Sequence, residues 1–249
     1  MSVEFRKANG QIIRGKLYEP EGAESYPLVL FSHGFGGCYA DLEHHGKVFA
    51  DAGIGCLFYD FCGGGQSSTS DGDMTEMTLK TELEDLLTVY EEVCAWDRVE
   101  KENIFLLGES QGGLVSAMAA AELKDRLKGL ILWYPAFVIP DDSKRRMELP
   151  APECDMVFGR RLSPDFNRVA VEIDIEAIMR AYKGPVLILH GNRDEVVPVG
   201  YSLKAEKIYK NAELVVFNMA AHGFMGGDSR KAGIRSRDFV LKKKNKKKK

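Results

Sequence analysis

The pentapeptide Gly108-Glu109-Ser110-Gln111-Gly112 constrains this chain more than any other stretch. The apolar run Asn103-Ile104-Phe105-Leu106-Leu107 precedes it and reads as a buried strand. An Ala-rich run from Gly113 to Leu123 follows and reads as a tightly packed helix. A turn this sharp, from strand straight into helix, forces its central residue into a strained backbone and leaves no room for side chains two positions to either side. Gly108 and Gly112 meet that demand. Such a nucleophile elbow lifts the Ser110 hydroxyl clear of the sheet and sets the Gln111 N–H at a helix start, where it can face an oxyanion. Taken alone, the pentapeptide is equally a glycine-flanked strand end with a helix-capping serine, so the rest of the chain decides.

Elsewhere the chain alternates between buried strands and helices. Two short β segments flank Asn9-Gly10, a strong hairpin signal. Further strands are expected at 27–32, 54–60, 127–134, 184–190 and 213–217, with helices at 41–52, 78–96, 199–209 and 229–241. The 78–96 helix is amphipathic through Leu79, Leu83, Leu86, Leu87, Tyr90 and Val93. Continuous apolar strands of this kind belong to a parallel sheet covered on both faces. The rhythm breaks from Ala136 to Lys183, where Pro140, Pro150, Pro152 and Pro164 interrupt any period; only 173–182 has helical character. A stretch of that length inside an ordered fold is usually functional, and it reads as a lid. Its aromatics Phe137, Phe158, Phe166 and Tyr182 either line a pocket or form the lid's own small core.

Doubly wound sheets gather their sites at the carboxyl ends of the strands. Ser110, Asp194 and His222 all stand at such ends or in the loops after them, in that order. An unassisted serine hydroxyl is a poor nucleophile near neutral pH. His222 would take its proton and later return it to the leaving alkoxide, while Asp194 would hold the imidazole tautomer and stabilise its charged form. Glu195 is an adjacent competitor for the acid role. The glycine-rich loop His33-Gly34-Phe35-Gly36-Gly37 follows a buried strand and offers the Phe35 N–H as an oxyanion donor beside that of Gln111. His33 and His190 read as structural. His44 and His45 read as surface or packing residues, with no third ligand at metal spacing. The Gly63-Gly64-Gly65 loop lacks the Lys-Ser/Thr and the glycine spacing of nucleotide-binding loops.

Composition narrows the setting. Of 249 residues, 45% are hydrophobic and 29% charged, as in soluble globular proteins. The start lacks a signal-peptide pattern, and no apolar run approaches the ~20 residues of a membrane helix. Five scattered cysteines without a C-x-x-C pair suit free thiols in a reducing compartment, so a cytoplasmic location is expected. The net charge of −3 hides an asymmetry: residues 242–249 hold seven lysines, leaving 27 basic against 37 acidic residues in the body. With no aromatic residues among those lysines, the tail reads as a disordered, solvated end rather than a nucleic-acid or membrane contact.

The motifs quoted above, with His190-Gly191-Asn192-Arg193-Asp194, Val197-Pro198 and Ala221-His222-Gly223-Phe224, resemble those of α/β-hydrolases over nearly the whole chain. More narrowly the chain resembles bacterial cinnamoyl (feruloyl) esterases, through Tyr59-Asp60-Phe61, Gly65-Gln66-Ser67, Asp71-Gly72, Thr78 and the lid after the sixth strand. The resemblance implies a mostly parallel eight-stranded sheet with helices on both faces, a core of residues 1–135 and 183–241, and an inserted lid at 136–182. It implies a serine carboxylesterase acting on hydroxycinnamoyl or other small acyl esters through an acyl-enzyme, with no cofactor and no metal. In that subfamily an acidic lid residue can meet the ring hydroxyl, and Asp142 is the nearest positional match. A short-chain esterase or thioesterase of the same fold is the alternative, and a non-catalytic binding module with a basic tail a more distant one. The expected partner is a small-molecule ester, not nucleic acid or membrane, for a monomer or homodimer.

Overall fold

The computed structural model describes residues 1–244. Its strands are β1 (Ser2–Arg6), β2 (Ile12–Tyr18), β3 (Tyr26–Ser32), β4 (Gly55–Tyr59), β5 (Val99–Glu109), β6 (Gly129–Trp133), β7 (Met156–Val157), β8 (Arg160–Arg161), β9 (Val186–Gly191) and β10 (Ala212–Phe217). Eight of them form one sheet in the order β1-β2-β4-β3-β5-β6-β9-β10, and β7 and β8 pair as a separate small hairpin. Only β2 runs against its neighbours; every other adjacent pair in the large sheet is parallel. This is the mostly parallel, eight-stranded α/β-hydrolase sheet the motifs implied. Its antiparallel edge comes from the Lys7–Gln11 turn, where Gly10 takes φ +90° and the Asn9 carboxamide accepts the Gln11 N–H.

The helices are α1 (Ala40–Glu43), α2 (Gly46–Ala50), α3 (Leu79–Val93), α4 (Ser110–Leu123), α5 (Ile139–Arg146), α6 (Phe166–Val171), α7 (Ile175–Ala181), α8 (Gly200–Ile208) and α9 (Gly226–Lys243). Strand alternation sends Leu28, Leu30, Ile104, Leu106, Leu130 and Leu132 to one face, where α3, α4, α7 and α8 cover them. Val29, Phe31, Phe105, Leu107, Ile131 and Trp133 point to the other, under α1, α2 and α9. Burial on both faces explains why these strands read as continuous apolar runs.

Several elements depart from the pattern read in the sequence, among them helices α5 and α6, which lie where only 173–182 had helical character. The helix expected at 41–52 is broken at His44-His45 into α1 and α2. The break turns both imidazoles onto the Ser229 hydroxyl of α9, at 3.1 and 3.3 Å, and sets Gly46 against the Tyr18 ring, where a Cβ would stand 2.7 Å from Cγ. In α3 the buried stripe includes Glu82 and Asp85, while Leu83 and Leu87 are only partly covered. The carboxylates are tolerated there because each is partnered: Glu82 accepts from Gln111 Nε2 at 2.8 Å, and Asp85 takes the Cys62 N–H at 2.7 Å and pairs with Lys7. The expected tail at 242–249 begins inside α9, since Lys242 and Lys243 are helical; residues 245–249 lie outside the described residues. Between β6 and β9, the chain from 136 to 182 folds into α5, the β7–β8 hairpin, α6 and α7. Among the described residues no helix is long and apolar enough to cross a membrane.

The start of α3 gives a direct test of local stability. Thr78 Oγ1 accepts the Thr81 N–H at 3.3 Å, and Thr81 Oγ1 accepts the Thr78 N–H at 2.9 Å. Thr78→Ala should remove one half of this capping box and lower stability by about 1 kcal/mol, read as an earlier urea midpoint at unchanged slope. An unchanged midpoint would mean the cap contributes nothing.

Candidate active site

The register of the sheet brings the candidate residues to one edge. Ser32 lies beside Gly108 and Glu109 beside Trp133, so β3, β5 and β6 end nearly flush. At the end of β5 the chain enters α4 directly at Ser110, which takes φ +50°. Only close backbone packing holds a non-glycine residue there. A Cβ on Gly108 would stand 2.2 Å from the Gly112 carbonyl oxygen, and one on Gly112 2.3 Å from that of His33. Both flanking glycines are therefore required by contact.

Ser110 Oγ lies 3.0 Å from His222 Nε2, and His222 Nδ1 lies 2.7 Å from Asp194 Oδ2. Asp194 sits in the loop after β9 and His222 in the loop after β10. The two carboxyl neighbours part here: Asp194 is buried and meets the histidine, while Glu195 is exposed. Asp194 Oδ1 accepts the N–H groups of Val196 and Val197 at 2.9 and 2.8 Å. Its Oδ2 also lies 3.2 Å from His190 Nε2. That nitrogen carries hydrogen, because it bonds the Val197 carbonyl at 2.8 Å, and Nδ1 accepts from Ser202 Oγ at 2.7 Å. Burial alone would raise the Asp194 pKa, but hydrogen bonds from His190, His222 and the Val197 N–H outweigh it and hold the carboxyl well below its usual range. His33 is structural in the same sense: Nε2 accepts the Phe61 N–H at 3.1 Å and Nδ1 bonds the Gly34 carbonyl at 2.8 Å.

Two clefts meet at Ser110. One, of about 490 Å³ and partly open to solvent, runs under the 136–182 segment and is lined by Phe35, Gln111, Ile139, Val157, Phe158 and Phe166, with Asp142 and Arg146 in its wall. The other opens outward past Gly34, Glu109, Tyr134 and His222. Phe35 and Gln111 thus flank the serine. Gln111 lies in the first turn of α4, whose N–H groups have no intrahelical acceptor. Of the four aromatics of the 136–182 segment, Phe158 and Phe166 line the cleft, while Phe137 and Tyr182 pack into the main core. Phe158, 74% exposed, overhangs the entrance from the tip of the β7–β8 hairpin. Asp142 is paired with Arg145, while Arg146 bonds the neutral side chains of Asn167 and Ser143 at 3.0 and 2.8 Å.

Four residues make contacts at the site to which the sequence assigns no role: Glu109, at an elbow position where many side chains are tolerated, Arg146 in the basic run of the 136–182 segment, Tyr134 and Glu82. Glu109 stood inside the elbow motif, and Tyr134 directly precedes the proline that closes β6; both positions were visible signals. Among the described residues no cluster of three or more His, Cys, Asp or Glu side chains could hold a metal ion.

A profile of the family described as serine aminopeptidase, S33, matches residues 23–181. Est1E from Butyrivibrio proteoclasticus, in a structure with ferulic acid bound, is 29% identical and superposes with a TM-score of 0.87 over 97% of this chain and 99% of that one. Mouse monoglyceride lipase is 29% identical over 184 residues, covering 68% of this chain and 56% of the lipase. YtmA of Bacillus subtilis, named as an uncharacterized peptidase, is 22% identical over 231 residues, covering 90% of this chain and 86% of its own length.

The depressed Asp194 pKa has a testable sign. Folding favours the ionised form, so its stabilisation is fully present above the unfolded pKa of about 3.9 and fades as pH falls below it. The unfolding free energy of Asp194→Asn should therefore fall furthest below that of the unmodified protein above about pH 5, with the gap narrowing below about pH 4. A gap independent of pH would contradict the assignment.

Proposed function

Starting from the chain's membership of the S33 serine aminopeptidase family of α/β-hydrolases, an esterase/lipase-type fold, we propose that it is a serine carboxylesterase acting on hydroxycinnamoyl or related small acyl esters. One observation carries the reading: an unbroken hydrogen-bonded line from Asp194 through His222 to Ser110, set where an apolar cleft meets an open one.

The chemistry follows from that line. His222 Nε2 takes the Ser110 proton as Oγ attacks the ester carbonyl carbon, and Asp194 stabilises the imidazolium that forms. The Phe35 and Gln111 N–H groups receive the oxyanion; a donor in this role is typically worth ~3–4 kcal/mol of barrier. Collapse of the tetrahedral intermediate breaks the bond to the alkoxide, which takes the proton from His222 and leaves through the open cleft. A water deprotonated by His222 then hydrolyses the acyl-enzyme and restores Ser110.

The substrate class draws support from the cleft under the 136–182 segment, which acts in this reading as the lid over the acyl group. Its lining is largely apolar and aromatic, as expected of a site for an acyl group with an aromatic ring. Asp142 would meet a ring hydroxyl at the cleft wall, in competition with its pairing to Arg145, and the Arg146 guanidinium adds donors beside it. The likeness to Est1E with bound ferulic acid extends over the lid as well as the core.

Methyl ferulate should be turned over with a kcat/KM at least equal to that for p-nitrophenyl acetate, and Ser110→Ala should lower both by roughly 10⁴-fold or more with the fold intact. Turnover of nitrophenyl esters alone would remove the aromatic acyl preference and favour short-chain acyl or thioester substrates. Retained activity in purified Ser110→Ala would remove serine chemistry altogether.

A further inference from the structure

Glu109 is a carboxylate inside the elbow, and nothing in the triad chemistry uses it. Its two oxygens take different partners. Oε1 accepts the Gly34 N–H at 3.3 Å, and Oε2 accepts the Tyr134 hydroxyl in a short contact. The Tyr134 ring lies edge-on to the His222 imidazole, with centroids 4.8 Å apart, and again edge-on to Phe224 at 4.8 Å. Tyr134 itself holds φ +36°, a strained value for a bulky side chain, fixed by its own N–H bond to the Leu189 carbonyl at 2.7 Å. Gly34 packs directly on the nucleophile, since a Cβ there would stand 3.2 Å from Ser110 Cβ.

We propose that Glu109 is a positioning residue that ties the oxyanion loop and the histidine loop to the nucleophile elbow. The inference rests on the reading of Ser110 as nucleophile. One oxygen fixes the peptide next to Phe35, whose N–H serves as oxyanion donor. The other, through Tyr134 and the edge-on contacts of its ring with His222 and Phe224, braces the loop that carries His222. The loops after β3 and β6 thus meet on one side chain adjacent to the reacting hydroxyl, and Tyr134 carries the contact on to the loop after β10. Such convergence matters because donors and base must be held in place before the transition state forms; a misplacement near 1 Å can cost ~10²-fold in rate. Burial holds the Glu109 carboxyl above its usual range, and the hydrogen bonds from the Tyr134 hydroxyl and the Gly34 N–H offset only part of that rise.

The test compares Glu109→Ala, Glu109→Gln, Tyr134→Phe and the Glu109→Ala/Tyr134→Phe double variant, using p-nitrophenyl butyrate turnover and inhibition by an aryl trifluoromethyl ketone that forms a hemiketal with the serine. Circular dichroism and thermal unfolding establish that each variant is folded. In Glu109→Ala, kcat should fall by about 30-fold or more with KM within about 3-fold, and the ketone inhibition constant should rise in parallel. Glu109→Gln, which keeps one acceptor, should lose less. Tyr134→Phe should fall in the same direction, and the double variant should lose no more than about 3-fold beyond Glu109→Ala, because both substitutions break one network. A kcat within about 3-fold of the unmodified enzyme in a folded Glu109→Ala, an unmoved ketone constant, or fully additive losses would each overturn the proposal. If Glu109→Ala does not fold, Glu109→Gln and Tyr134→Phe decide it: unchanged kcat in both overturns it, and reduced kcat with weakened ketone binding supports it. Activity surviving in Ser110→Ala would instead overturn the serine reading and this inference with it.

Discussion

At the root of the site is a backbone contact: α4 starts so close to the end of β3 that a methyl group on Gly112 would lie 2.4 Å from the Ser32 carbonyl oxygen and 2.3 Å from that of His33. No side chain fits there, so the first turn of α4 and the loop after β3 share one rigid floor. The same closeness keeps Ser110 at positive φ, a conformation that costs of order 1–3 kcal/mol and persists only where its surroundings over-determine it. Everything else at the site hangs from that floor. Glu109 clamps Gly34 from one side, Gln111 is held by Glu82 from below, and the register of β5, β6, β9 and β10 carries Tyr134, Asp194 and His222 to the same edge.

The two acidic groups near the serine show how environment divides roles between identical functions. Asp194 is enclosed by donors: two backbone N–H groups on one oxygen and two imidazoles within reach of the other. That enclosure keeps it ionised and aimed at His222. Glu109, one residue before Ser110, uses its oxygens on a loop peptide and a tyrosine hydroxyl, and no contact between it and the histidine is seen among the described residues. In this account it therefore shapes the site without taking part in proton transfer.

The sheet and the Ser110, Asp194 and His222 positions were legible in the sequence because their signals are local: continuous apolar runs of strand length, paired glycines around a serine, and a histidine just past a strand. What stayed hidden depends on partners distant along the chain. Helix α5 reads IPDDSKRR, with almost no apolar face; Pro140 stands in its first turn, and Arg146 ties it together by bonding Ser143 within the helix and Asn167 of α6. The turn between α1 and α2 is set by Ser229, more than 180 residues away. Glu82 falls on the buried stripe of α3 only because Gln111 waits opposite. The importance of Glu109 likewise depends on Gly34 and Tyr134, neither of which the elbow motif names.

The central claim is that Ser110 becomes covalently acylated during turnover. Mixing the enzyme with p-nitrophenyl butyrate, quenching in acid within the first turnovers, and mapping peptides by mass spectrometry tests it most directly. The account requires a butyryl group on the peptide carrying Ser110, absent in His222→Ala under the same quench. A quenched enzyme with full turnover but no adduct at Ser110, or with its adduct on another residue, would contradict it.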